Sequence, residues 1–101
     1  MILNKKLLVL TAKPSINEEI IDWLISHPIE TGFTSFDVSG HGSQMTNLSI
    51  AEQVSGRQKK TRFQIMVEDQ ELESFVQSLK LEFKQSGIHY WVQPIIEEGE
   101  I

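Results

Sequence analysis

The sequence predicts a single α+β domain spanning residues 1–101, and three observations lead to this prediction. Short β-prone runs alternate with two amphipathic segments of helical periodicity. Apolar residues make up 40% of the chain and charged residues 23%, as in ordinary globular domains. The chain has no cysteine, so its fold must depend on packing rather than on disulfides or thiolate–metal bonds. A chain of this length is expected to build one core and no second domain.

The first two predicted elements are a buried strand and an amphipathic helix. Residues 7–11 form a continuous β-prone run, typical of a strand that is covered on both faces. Ser15 and Glu18 have the spacing of a capping box, which marks a helix start. The following apolar residues recur at helical spacing, and Pro28 prevents the helix from continuing.

The remaining predicted elements are two strands, a second long helix and a last strand. Residues 33–38 follow Gly32 as a strand, and residues 61–67 alternate between apolar and polar side chains, which is typical of a half-buried strand. Asp69 is placed to cap the second helix. Residues 88–92 form the last strand, and Pro94 near its end predicts a position at the sheet edge.

This order, β-α-β-β-α-β, is that of the ferredoxin-like fold. It predicts a four-stranded antiparallel sheet in the spatial order 4-1-3-2 with both helices on one face. The opposite face would carry Leu7, Val9, Met66 and Trp91, which two helices cannot also cover. Self-association is the simplest way to cover such a face.

The most informative segment is the loop at residues 39–60, because it is too long for a simple strand connection. It begins with two closely spaced glycines, which allow backbone N–H groups to approach a ligand, and ends in a basic run on a chain of net charge −5. Ser49 and Glu52 form a further capping box and predict one or two helical turns inside the loop. The candidate ligand-binding residues are Gly40, Gly42, Gln44, Arg57, Lys59, Lys60 and Arg62.

Two other functions are open at this point. His41 and Met45 could ligate a soft metal, which would suit a metal-binding protein of cation homeostasis. The strand order also matches RNA-binding sheets, for which Phe63, Tyr90 and Trp91 offer aromatic rings. The chain lacks recognisable catalytic motifs, so we expect no enzymatic activity.

Charge and hydropathy favour a cytoplasmic protein. A net charge of −5 opposes attraction to phosphate backbones, and nucleic-acid binding is therefore not expected. No apolar run is long enough to enter and span a bilayer. No sequence motif identifies a cofactor.

With the element order and the long loop, the chain resembles the PII-like superfamily of nitrogen-regulatory proteins, and more narrowly a small bacterial branch of it. Lys13-Pro14 at the end of the first strand is similar to a lysine-proline pair of PII proteins. The segment 40–44, Gly-His-Gly-Ser-Gln, is similar to the G-x-G-R-Q that opens their long effector loop.

The resemblance implies a homotrimeric regulatory or sensor protein. Its loop 39–60 would engage a small anionic ligand, an adenine nucleotide or a partner protein, and Gly40, Gly42 and Gln44 would form the base of a cleft between subunits. Two departures from the PII pattern bear on the ligand. Residues 87–90 replace the G-D-G-K segment without a lysine, and no arginine follows Val92. We therefore expect any bound nucleotide to be held weakly or to carry few phosphates.

Overall fold

The computed structural model describes residues 4–27, 29, 32–42 and 48–101. The strands are β1 (Lys5–Ala12), β2 (Phe33–Gly40), β3 (Gln58–Glu68) and β4 (His89–Pro94); the helices are α1 (Asn17–Ile25), α2 (Ile50–Ser55) and α3 (Asp69–Glu82). All neighbouring strands are antiparallel, in the order β2-β3-β1-β4. The predicted α+β, ferredoxin-like arrangement is confirmed. Pro94 lies on an edge strand, where it interrupts no central ladder.

The core lies between one face of the sheet and the helices α1 and α3. Alternate residues of β1 and β3 point into it, because side chains along a strand alternate between the two faces. From the helices, Ile20 and Leu24 of α1 and Val76 and Leu79 of α3 complete it. The buried members from the strands are Leu8, Leu10, Ala12, Phe63, Ile65 and Val67. These four helix residues belong to the apolar stripes that the sequence predicts, whereas Ile25 of the same α1 stripe is 69% exposed.

The starts of α1 and α3 differ from the sequence prediction. Ser15 lies within a short 3-10 turn, Pro14–Ile16, and α1 begins at Asn17 without a side-chain cap. Pro14 causes this offset, since its fixed φ suits the first turn of a helix better than the middle. Asp69 is the first residue of α3 and makes no capping hydrogen bond, although its charge still suits the helix N-terminus.

The connection between β2 and β3 is shorter than the predicted loop at residues 39–60. The β2–β3 ladder continues to the pair Gly40 and Gln58, so the connection comprises residues 41–57. The basic run was expected in the loop, but its last members belong to β3. The predicted helical turns are present as α2, with both hydrogen bonds of the Ser49 and Glu52 capping box, and Gly56 ends the helix at φ 69°.

Within the described residues, no helix is both long and apolar enough to cross a membrane.

Candidate functional site

The candidate site lies on the sheet face that points away from α1 and α3, which we call the open face. Its side chains are the odd-numbered residues of β1 and β4 and the even-numbered residues of β2 and β3, as the strand register requires. Val9 illustrates the separation of the two faces, because it is buried to 1% exposure but does not belong to the helix-side core. Leu7, Met66 and Trp91 share this face with Val9, as predicted.

One row of side chains crosses all four strands near the connection at residues 41–57. Phe36, Arg62, Thr11 and His89 are successive register partners from β2 to β4. Lys60 lies one row closer to the connection, on the same face. The ends of β2 and β1 and the starts of β3 and β4 therefore bring together residues that are far apart in the sequence.

Arg62 is the most constrained cation of the open face. Its Nε donates a hydrogen bond to Oγ1 of Thr11 at 3.2 Å, and the side chains are partly buried. Its guanidinium carbon lies 5.0 Å from the ring centroid of Trp91, which is cation–π geometry. One contact fixes the Nε edge and the other fixes the plane, so the two terminal nitrogens are oriented as a fork.

Trp91 is itself held in place by two neighbours on β4. Its Nε1 donates a hydrogen bond to Oε1 of Gln93 at 2.9 Å. The imidazole of His89 lies 5.8 Å from the indole, measured between ring centroids. The ring that supports Arg62 is thus flanked by a polar group on each side along its strand.

The open face carries its charges at opposite ends. Lys60 and Arg62 lie near the connection, and neither forms an ion pair with a carboxylate of the described residues. The carboxylate that the strands place on this face belongs to Glu68, at the far end, where it lies 4.0 Å from Nζ of Lys5. An anion at the connection end would therefore meet two cations and no nearby strand carboxylate.

Glu52 attaches α2 to the start of β3. One carboxylate oxygen accepts a hydrogen bond from the backbone N–H of Ser49 at 3.0 Å, and the other accepts from the backbone N–H of Lys59 at 2.8 Å. These two hydrogen bonds lower the pKa of Glu52 below its usual value. The second half of the connection is thereby joined to the strand that carries Lys60 and Arg62.

The structure brings together only part of the predicted ligand-binding set. Lys60 and Arg62 share the open face, and Gly40 lies beside them at the end of β2. Lys59 has the opposite strand parity and therefore points to the helix side, while Arg57 precedes β3. Strand alternation therefore divides the basic run between the two faces of the sheet.

The glycine and metal predictions have different outcomes. Gly40 is extended rather than left-handed, and a Cβ built on it would lie 3.5 Å from the nearest atom, an ordinary contact. Gly42 and His41 are exposed residues that follow β2. Gln44 and Met45 lie outside the described residues. Within the described ranges, no three His, Asp or Glu side chains converge in a metal-binding arrangement.

Sequence reasoning missed Thr11, His89 and Gln93 as companions of Arg62. The sequence places Thr11 and His89 in predicted strands but does not connect either residue with Arg62. The signal was available in the strand order, because the end of β1 and the starts of β3 and β4 must meet at one end of this sheet.

Of the three aromatic residues considered for RNA, Trp91 alone is on the open face, whereas Phe63 is buried in the core and Tyr90 faces the helices.

These features define a ferredoxin-like α+β domain whose open face carries an oriented arginine, which has no ion-pair partner among the described residues. Residues 2–101 match the family DUF3240, described as a protein of unknown function, and the chain belongs to this family. Among solved structures, it is similar to the crystal structure of a DUF3240 family protein from Shewanella baltica OS155. The two are 26% identical, with a TM-score of 0.78 and 97% of each chain covered. A search of curated proteins gives no match.

Proposed function

We propose that this protein is a non-enzymatic regulatory or sensor protein of the PII-like kind, which binds a small anionic ligand at the open face. The observation that carries the proposal is Arg62. Its guanidinium is oriented by Thr11 and Trp91, and it has no carboxylate partner among the described residues. Such a fork matches the geometry of a carboxylate or phosphate group.

The position of the site supports a signalling role. Arg62 and Lys60 lie on the strand that receives the connection at residues 41–57, and Glu52 joins this connection to the same strand. A ligand bound between the cations and the connection would favour one arrangement of the connection over others. In this proposal the connection is the arm that presents the bound state to a partner protein.

The proposed assembly is a homotrimer in which the open faces point inward. Its support is the apolar part of this face that the single chain leaves partly exposed, Leu7, Met66 and Trp91, together with Phe36, which is 44% exposed. No helix among the described residues packs on this face to form a second core. In a trimer, Arg62 would lie close to a neighbouring copy, and the ligand would contact more than one chain.

The test of ligand binding is calorimetry with phosphate, small dicarboxylates and adenine nucleotides. Arg62→Ala should weaken the binding of the anion that is found by about 10- to 100-fold, because hydrogen bonds to a charged group are lost. Lys59→Ala is the matched control, since it removes the same charge from the other side of the same strand. Equal losses in the two variants, or no loss in Arg62→Ala, would contradict this site.

The test of assembly is light scattering coupled to size exclusion. A homotrimer has three times the chain mass of 11.6 kDa, whereas a monodisperse species of the single-chain mass would contradict the assembly.

The rival functions are separated by thermal shifts. Stabilisation by copper or zinc would favour metal binding at His41 and Met45, and stabilisation by RNA would favour an RNA-binding sheet.

A further inference from the structure

A second surface feature lies on the helix side, in a groove between α3 and β4. The groove has a volume of about 260 Å³, and its floor is apolar, with Leu10, Leu79, Phe83 and Ile88 among the lining residues. Lys80, in the last turn of α3, and Lys84, in the turn that follows the end of the helix at Glu82, lie at its rim. We call it the α3–β4 groove. It is separate from the open face, because Leu10 and Leu79 belong to the helix-side core.

The two lysines give the groove a positive rim. The ammonium of Lys80 lies 5.4 Å from the ring centroid of Tyr90, and neither lysine forms an ion pair with a carboxylate of the described residues. A partner for this groove must therefore combine apolar bulk with negative charge. Both properties are needed together, since a purely apolar segment would leave two cations partly desolvated and unpaired.

The segment that follows β4, residues 95–101, has this combination. Ile96 is 93% exposed, which is unusual for an isoleucine. Glu97 and Glu100 follow it in the chain and make no ion pair with the described cations, whereas Glu98 contacts Lys5. The segment thus offers an unburied apolar side chain and unpaired carboxylates, the complement of the groove in both respects.

The contact of Glu98 indicates which copy of the segment can enter the groove. Its Oε1 lies 3.3 Å from Nζ of Lys5, an open-face residue at the start of β1. The groove is on the other side of the sheet, and its β4 residue, Tyr90, lies near the opposite end of that strand. A chain could fill its own groove only by breaking the Lys5 contact and passing around the sheet edge.

We propose that the α3–β4 groove is the docking site for residues 95–101 of a second copy of this chain, with Ile96 in the apolar groove and Glu97 and Glu100 beside Lys80 and Lys84. This contact is independent of the anion site at Arg62. It would link copies through their helix sides and tails, in addition to any contact between open faces.

The absence of cysteine permits a direct test by cross-linking. The pair of substitutions Gln85→Cys, in the groove, and Ile96→Cys, in the tail, is treated with a short bismaleimide. We expect a covalent product of two chains on a denaturing gel. The matched control is Glu73→Cys with Ile96→Cys, because Glu73 is an exposed α3 residue outside the groove. An equal yield in the control, a product confined to one chain, or no product would each overturn the proposal.

A charge exchange tests the assigned ion pairs at the rim while the cysteine pair and the cross-linker stay the same. In the Gln85→Cys, Ile96→Cys background, Lys80→Glu with Lys84→Glu should lower the two-chain yield by about two- to fivefold for each lost pair, the range of exposed ion pairs. Adding Glu97→Lys and Glu100→Lys should restore it. A yield that does not fall, or that falls and is not restored by the reciprocal exchange, would overturn the assigned pairing.

Discussion

The two faces of the sheet use the same strands but have different compositions. On the helix side, Leu8, Leu10, Phe63 and Ile65 are all at or below 1% exposure, and they belong to one apolar core cluster. On the open face, apolar side chains are mixed with cationic and amide side chains, and Arg62 lies on β3, between β1 and β2. The helix side holds the apolar core, and the open face carries the charged and polar groups on which the proposed ligand site depends.

The two faces also differ in the contacts that they provide for a polar side chain. Arg62 on the open face is oriented by a hydroxyl and an indole, an arrangement that uses three strands. On the helix side, Oγ1 of Thr61 is buried without a hydrogen-bond partner among the described residues. The polar side chain on the open face is thus held by specific contacts, whereas the buried hydroxyl on the helix side has no hydrogen-bond partner among the described residues. The predictions below test this contrast.

The largest expected effect is the truncation of a core ring. Phe63→Ala should lower the free energy of unfolding by about 3–5 kcal/mol, because Phe63 is fully buried and its loss leaves a cavity. Phe36→Ala, the same change on the open face, should cost less than about 1 kcal/mol when the protein is dilute. Urea unfolding of both variants measures the difference, and equal losses would show that the two faces do not differ in this way.

A second effect separates the faces by concentration. If the open faces meet in an assembly, Phe36→Ala should weaken self-association by about 1–2 kcal/mol, the range for a ring at an interface. Sedimentation over a dilution series measures this, with Leu81→Ala as the control, since Leu81 is 69% exposed on α3. Association that responds to Leu81 and not to Phe36 would place the interface elsewhere.

A third comparison uses two threonines of the sheet. Thr61→Val removes a buried hydroxyl without a described partner and should raise the free energy of unfolding by up to about 1 kcal/mol. Thr11→Val removes the acceptor of Arg62 and should lower it by about 1 kcal/mol. It should also weaken anion binding. Opposite signs in thermal unfolding are expected, and a loss in both variants would show that Thr61 is satisfied.

The smallest effect is local and depends on pH. Because hydrogen bonds lower the native pKa of Glu52 below its usual 4.5, this carboxylate stabilises the connection fully above that usual value. The stabilisation is lost as the pH falls through the lowered native pKa. The Lys59 amide should therefore be less protected from hydrogen exchange at acidic pH than at neutral pH, after correction for the intrinsic exchange rate. Glu52→Gln should remove this pH dependence, and an unchanged profile in Glu52→Gln would contradict the role of the carboxylate.

The sequence predicts the core more fully than the site, for a physical reason. Residues such as Leu79 and Ile65 are recognised because burial follows the periodicity of one element at a time. The row of Thr11, Arg62 and His89 depends on the register between strands far apart in the chain, which local periodicity does not contain. The division of the basic run between two faces is hidden for the same reason. It depends on the residue at which β3 begins, and local periodicity does not give that residue.

The sequence by itself determined the element types, their order and the apolar faces of α1 and α3, because these follow from periodicity and from the side-chain preferences of short segments. It also determined α2, through the capping box of Ser49 and Glu52. Only the tertiary structure decided that Arg62 lies between Thr11 and Trp91, and that Lys59 is excluded from their face. These positions result from pairing β3 with β1 beside β4, and a contact across strands exists only once the sheet has formed.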